Sequence, residues 1–139
     1  MNPNNYATLE ASKRLIDAGI VLNTDFYWAT YAERTLRSLK DAGKAIPAPY
    51  LVGRESIHNK HLIGMGSYVS APSMAEVWLE LPDLMLFNGL CYDLALYSFE
   101  GQAHAGYQWN SMMRIEFYST NPTDALIDLL IWVRRKRKG

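Results

Sequence analysis

The chain has 139 residues, 49% of them apolar, which is enough to close one hydrophobic core and points to a single domain over residues 1–139. Fourteen lysines and arginines balance fourteen aspartates and glutamates, which argues against a wholly basic nucleic-acid coat and against a strongly acidic DNA mimic. The balance is uneven, because Arg134, Arg135, Lys136, Arg137 and Lys138 hold five of the fourteen cations, leaving nine against fourteen acids in residues 1–133 and setting residues 134–139 apart as a basic tail.

The single cysteine, Cys91, has no intramolecular disulfide partner, and no Cys/His spacing of a structural zinc site is present. Residues 1–6 lack the basic and apolar segments of a secretory signal, and no apolar run approaches the ~18 residues of a membrane span. The expectation is a cytoplasmic protein that binds no membrane. No repeat of solenoid length and no low-complexity segment is visible.

Residues 8–18 read as an amphipathic helix, with Leu9, Ala11, Leu15, Ile16 and Ala18 set against the i,i+4 pairs Glu10 with Arg14 and Lys13 with Asp17. Gly19 stands at the left-handed position that ends such a helix, and the period then changes to two over residues 20–31, as in a half-buried strand. Residues 32–43 suit either a short helix ended by Gly43 or the extension of a hairpin. Pro47, Pro49, Gly53 and the polar run 54–60 predict a loop over 45–63.

A strand is expected over 62–69, then a helix over 73–81 opened by Ser73 and Glu76 as a capping box and closed by Pro82. Asn88-Gly89 between apolar runs predicts a hairpin over 84–99, since that pair supplies both positive-φ positions of a type I′ turn. Residues 101–106 read as flexible. The alternation over 107–118 predicts a strand with Tyr107, Trp109, Met113, Ile115 and Phe117 on its core face. Asn121, Pro122 and Asp124 then open a helix over 122–135 that is apolar almost all round, apart from a stripe of Asp124 and Asp128. Such a helix is buried, either between the sheet and another helix or by using its second apolar side, with Ile127, Ile131 and Trp132, in a homodimer.

Three blocks of the sequence resemble a family of small uncharacterised proteins encoded by bacteria, phages and prophages. They are Ala7-Thr8-Leu9-Glu10-Ala11-Ser12-Lys13-Arg14-Leu15 with Ala18-Gly19-Ile20-Val21-Leu22 and Asp25-Phe26-Tyr27-Trp28; Ala71-Pro72-Ser73-Met74-Ala75-Glu76-Val77-Trp78 with Glu80-Leu81-Pro82; and Asn121 through Val133. The resemblance implies a phage or mobile-element context and brings no activity, cofactor or catalytic residue. The blocks coincide with the predicted helices and their caps, so they read as the frame of the fold.

Candidate chemistry is sparse. His58 and His61 lie three apart in a polar stretch that an ordinary exposed loop explains, with no third metal ligand placed by spacing. Cys91 and His104 carry no nucleophile signature, and Cys91 reads as a small core residue in a strand. Glu76 and Glu80 are like charges four apart on a helix, as on any solvated face. Gly64-Met65-Gly66 lacks the third glycine of a dinucleotide fingerprint. The cations Arg134 to Lys138 can attract phosphate, but a frayed, solubilising terminus is the expected account of them, and Tyr27, Tyr31, Tyr97, Tyr107 and Tyr118 are candidates for rings exposed on a sheet.

The sequence therefore predicts an α+β domain, a mainly antiparallel sheet of four to five strands with about three helices on one face. Its expected role is that of a non-enzymatic accessory or interaction protein with a protein partner or a second copy and no cofactor. The alternatives are a nucleic-acid-associated protein using the tail and exposed aromatics, and a small enzyme with a loop-built pocket.

Overall fold

A computed structural model describes residues 2, 5–31, 33–46, 48–57 and 65–138. The fold is α+β, with two antiparallel sheets in place of the single sheet expected. In chain order it runs α1 (Leu9–Asp17), β1 (Phe26–Tyr31), α2 (Glu33–Asp41), β2 (Tyr50–Gly53), the single turn α3 (Arg54–Ile57), β3 (Met65–Ser70), α4 (Met74–Glu80), β4 (Leu84–Phe87), β5 (Leu90–Phe99), β6 (Gln102–Trp109), β7 (Met112–Ser119) and α5 (Pro122–Lys138).

The helix ends follow local chemistry. Thr8 caps α1 by accepting from the Ala11 N–H, and Gly19 at φ +78° closes it with bonds from the Gly19 and Ile20 N–H groups to the carbonyls of Ile16 and Leu15, a Schellman arrangement. Ser73 and Glu76 form the reciprocal capping box of α4. The Asn121 side chain accepts from the N–H groups of Thr123 and Asp124 at the start of α5. Residues 33–41 are helical and end before Gly43, which settles the alternative left open at 32–43.

The strands depart further from expectation. Residues Ile20, Leu22 and Thr24 do alternate into the core, yet among the described residues no ladder partner reaches them and β1 begins only at Phe26. Burial alternates along any extended chain against a core, whereas a strand also needs a neighbour. The expected 45–63 loop contains β2, which pairs with β1 and builds a sheet in the order β2-β1-β3. The supposed flexible stretch 101–106 is a tight turn at Glu100-Gly101 followed by β6, and the strand expected over 107–118 is broken by a second tight turn at Asn110-Ser111, all four turn residues having positive φ. Ile115 lies opposite Tyr107 across that turn, so these two share the core face, but the register shifts after Tyr107 and leaves Trp109, expected on that face, 44% exposed. Strands β4-β5-β6-β7 thus form one meander. Gly106 is required in its middle, because a Cβ there would sit 1.9 Å from the Ile115 carbonyl oxygen.

The core is built around α5. Its residues Leu126, Ile127, Leu129, Leu130 and Val133 are fully buried, with β6 and β7 on one side and α1 and α4 closing over the rest. Each such side chain contributes roughly 1.5–3 kcal/mol by leaving water. The polar stripe of α5 is consumed inside the chain: Asp124 accepts from the Thr8 N–H (2.8 Å) and hydroxyl (2.7 Å), and Asp128 pairs with Arg14 (3.2 Å). Asn121 donates to the Tyr6 carbonyl, the Ala7 N–H to the Pro72 carbonyl, and the Trp28 indole to the Ala7 carbonyl. The starts of all three sequence blocks therefore meet at one junction.

Candidate functional site

The five tail cations continue α5 as helix through Lys138, which corrects the expected frayed end. Arg134 pairs with Glu80 of α4 at 2.8 Å, and the Lys136 ammonium lies 5.7 Å from the centre of the Trp132 ring. Arg135 borders a cavity of about 450 Å³ together with Arg14, Asp17, Asp128, Phe117 and Trp132, where carboxylates offset the guanidinium groups. Ile127 is fully buried, Ile131 is 8% exposed and Trp132 is half-buried against Phe87. That burial commits Ile127 and Ile131 to the core of one chain and leaves them no surface to offer a second copy.

Exposed aromatic residues gather on the outer face of the four-stranded sheet, away from α5. Tyr97 stacks on His104 with centroids 4.9 Å apart and planes 8° from parallel, while Phe99 and Tyr118 border the same imidazole. His104 Nδ1 is in direct contact with Glu116 Oε1, and the Tyr97 hydroxyl donates to that oxygen at 3.0 Å. A carboxylate and three rings thus hold the imidazole in one orientation. Tyr107 is the opposite case, fully buried beneath the sheet, with its hydroxyl donating to the Pro82 carbonyl at 2.7 Å and its pKa pushed up to about 12 by burial. Tyr27 and Tyr31 are half-buried.

The aromatic cluster and the cationic tail do not form one surface. Pro122, at the start of α5, lines a cavity with Tyr97, whereas Trp132, near its end, meets Phe87. Seventeen helical residues separate the two ends by about 25 Å.

The remaining sequence candidates also disperse. Cys91 is exposed on β5, not buried as expected, because its strand position faces away from the helices. Six residues along the strand put it about 20 Å from Tyr97, and hence from His104. Glu76 is held by the Ser73 and Asp25 N–H groups and Glu80 by Arg134, so the two carboxylates serve separate structural contacts. His58, His61 and Gly64 lie outside the described residues. Among the described residues no group of three or more histidine, cysteine, aspartate or glutamate side chains converges, and no helix is long and apolar enough to cross a membrane.

A further concave feature lies where α4 meets β5. Met74, Ala75, Trp78 and Leu79 of α4 and Leu96 of β5 line an apolar groove of about 500 Å³, in which Leu79 is 82% exposed. A second cavity of about 340 Å³ continues from Leu96 past Tyr97 and Ser98 to Ala103, Thr120 and Pro122. The groove lies beside one edge of β5. β4 pairs only with Leu90–Asp93, and among the described residues nothing pairs with the same edge of β5 from Ala95 to Phe99.

This site was missed in the sequence, although one signal for it is present. The hairpin around Asn88-Gly89 has arms of four and ten residues, and α4, which ends at Glu80 with Leu81 as its cap, leaves no chain to extend the shorter arm along the longer one. No protein-family model, curated protein or solved structure matches this chain.

Proposed function

We propose that this chain is a non-enzymatic protein-interaction module that engages its partner through the groove between α4 and β5. The observation that carries this reading is the juxtaposition at Leu96, where an apolar groove lies beside a strand edge that no strand among the described residues pairs. Large apolar side chains such as Leu79, left in water next to a groove, are what a partner buries at the centre of an interface. An accessory role of this kind suits the small bacterial and phage proteins that the three blocks resemble.

The test is a selection of random linear peptides on the immobilised protein, counter-screened with Leu79→Glu. Leu79 is exposed, so the charge is accommodated in the folded chain. Enriched peptides should lose at least about tenfold in affinity for the variant. Failure to enrich any peptide, or peptides that bind the variant equally, refutes the reading.

A further inference from the structure

Resting on that reading, we propose that the groove takes an extended apolar peptide with basic flanks, which adds to the four-stranded sheet as a further strand along the open edge of β5. The backbone supplies the first argument. The Leu94 N–H is bonded to the Asp83 carbonyl at 2.9 Å, so it points toward β4 and away from β6. Backbone groups alternate in direction along a strand, and therefore the N–H and C=O groups of Leu96 and Ser98 point to that same side, beyond the end of β4. Among the described residues no strand meets them there. A row of such groups is a template for one kind of ligand, another strand.

The side chains supply the second argument. A peptide residue directly opposite Leu96 places its side chain on the same sheet face as Leu96, which is the face toward α4. There it enters the groove of Met74, Trp78 and Leu79, whose volume of about 500 Å³ admits a large aliphatic or aromatic group. A residue two positions along, opposite Ser98, returns to that same sheet face. Alternate apolar residues on the peptide thus share the face of the groove, and the residues between them turn outward to Tyr97 and Phe99.

Charge supplies the third argument and selects the occupant. Asp83 and Asp93 are exposed at one end of the open edge and Glu100 at the other, and no lysine or arginine lines either cavity. Cationic residues flanking the apolar core of a peptide complement this arrangement. A second copy of this chain does not, because antiparallel pairing of two β5 edges brings Asp93 of one copy beside Glu100 of the other.

The experiment uses the full-length ¹⁵N-labelled protein and a synthetic nonapeptide with valine and leucine at alternate central positions, threonines between them and two lysines at each end. Binding should slow hydrogen exchange of the Leu96 and Ser98 amides at least about tenfold. Methylating the peptide's alternate backbone nitrogens in one phase should weaken binding at least about tenfold, while the other phase leaves it unchanged, and glutamates in place of the lysines should weaken it comparably. Equal binding by both N-methylated phases, or protection only at other amides, overturns strand addition. Concentration-dependent dimerisation that Ser98→Pro abolishes overturns the peptide as occupant. A nonapeptide that fails to bind, alongside selected peptides that still depend on Leu79, overturns the ligand class and leaves the interaction reading standing. Failure of both sets removes the two together.

Discussion

Asp124 joins the starts of two helices, and replacing it separates hydrogen bonding from charge. Its carboxylate is 7% exposed and accepts from both the N–H and the hydroxyl of Thr8. Asp124→Ala orphans two donors at the α1 cap, each part-buried, at roughly 1–3 kcal/mol for such a group, partly offset because no charge is then buried. The expected loss is about 2–3 kcal/mol. Asp124→Asn keeps an oxygen for the Thr8 N–H and offers an N–H to the Thr8 hydroxyl oxygen, so it should cost less than about 1 kcal/mol. Burial is the largest influence on the Asp124 carboxyl and raises its pKa above the ordinary 3.8, against the opposing effects of Thr8 and Arg14.

A raised folded-state pKa means that the folded chain holds this proton more tightly than the unfolded one. The resulting stability is complete below about 3.8 and is lost as pH rises through the folded value. Wild type should therefore gain stability relative to Asp124→Asn as pH is lowered from neutral toward 4. Urea melts of the three proteins at several pH values, compared at constant m, measure both effects. Equal losses for the alanine and asparagine variants would refute the donor argument. A wild type that weakens relative to Asp124→Asn on acidification would refute the burial argument.

Gly106→Ala should cost about 3 kcal/mol or more, visible as a lowered urea midpoint, because its Cβ meets backbone that has nowhere to move. Tyr107→Phe should cost about 1 kcal/mol through loss of the bond to the Pro82 carbonyl. With the Tyr107 pKa pushed up to about 12, the stability from its un-ionised hydroxyl is present below pH 10 and lost as pH rises through 12, so ultraviolet titration should show one of the nine tyrosines ionising with alkaline unfolding. A double-mutant cycle on Glu80 and Arg134 should return no more than about 1 kcal/mol, because both side chains are more than a third open to solvent and salt screens the pair.

The helix boundaries were legible because their causes lie within a few residues. Ser73 finds Glu76, Gly19 supplies its own positive φ, and Asn121 caps the residues that follow it. The Asn88-Gly89 hairpin was legible for the same reason, and so were the α+β class and the burial of α5, since an apolar circumference excludes water whatever covers it. Asn110-Ser111 and Glu100-Gly101 adopt the same turn geometry with less telling residues, held there by the pairing of the strands on either side.

Tertiary structure decided which elements become neighbours. The division into two sheets, the pairing of β2 with β1, the enclosure of α5 by its own chain and the exposure of Cys91 all depend on contacts between distant residues, as between Thr8 and Asp124. The groove belongs to the same class. Local sequence determined the Asn88-Gly89 turn and a capped helix carrying Trp78 and Leu79, but only the docking of α4 on α5 brought that helix beside the stretch of β5 that no strand among the described residues pairs. Local hydrogen bonds and torsional preferences act over three or four residues, whereas partner choice is governed by burial, which is blind to sequence distance.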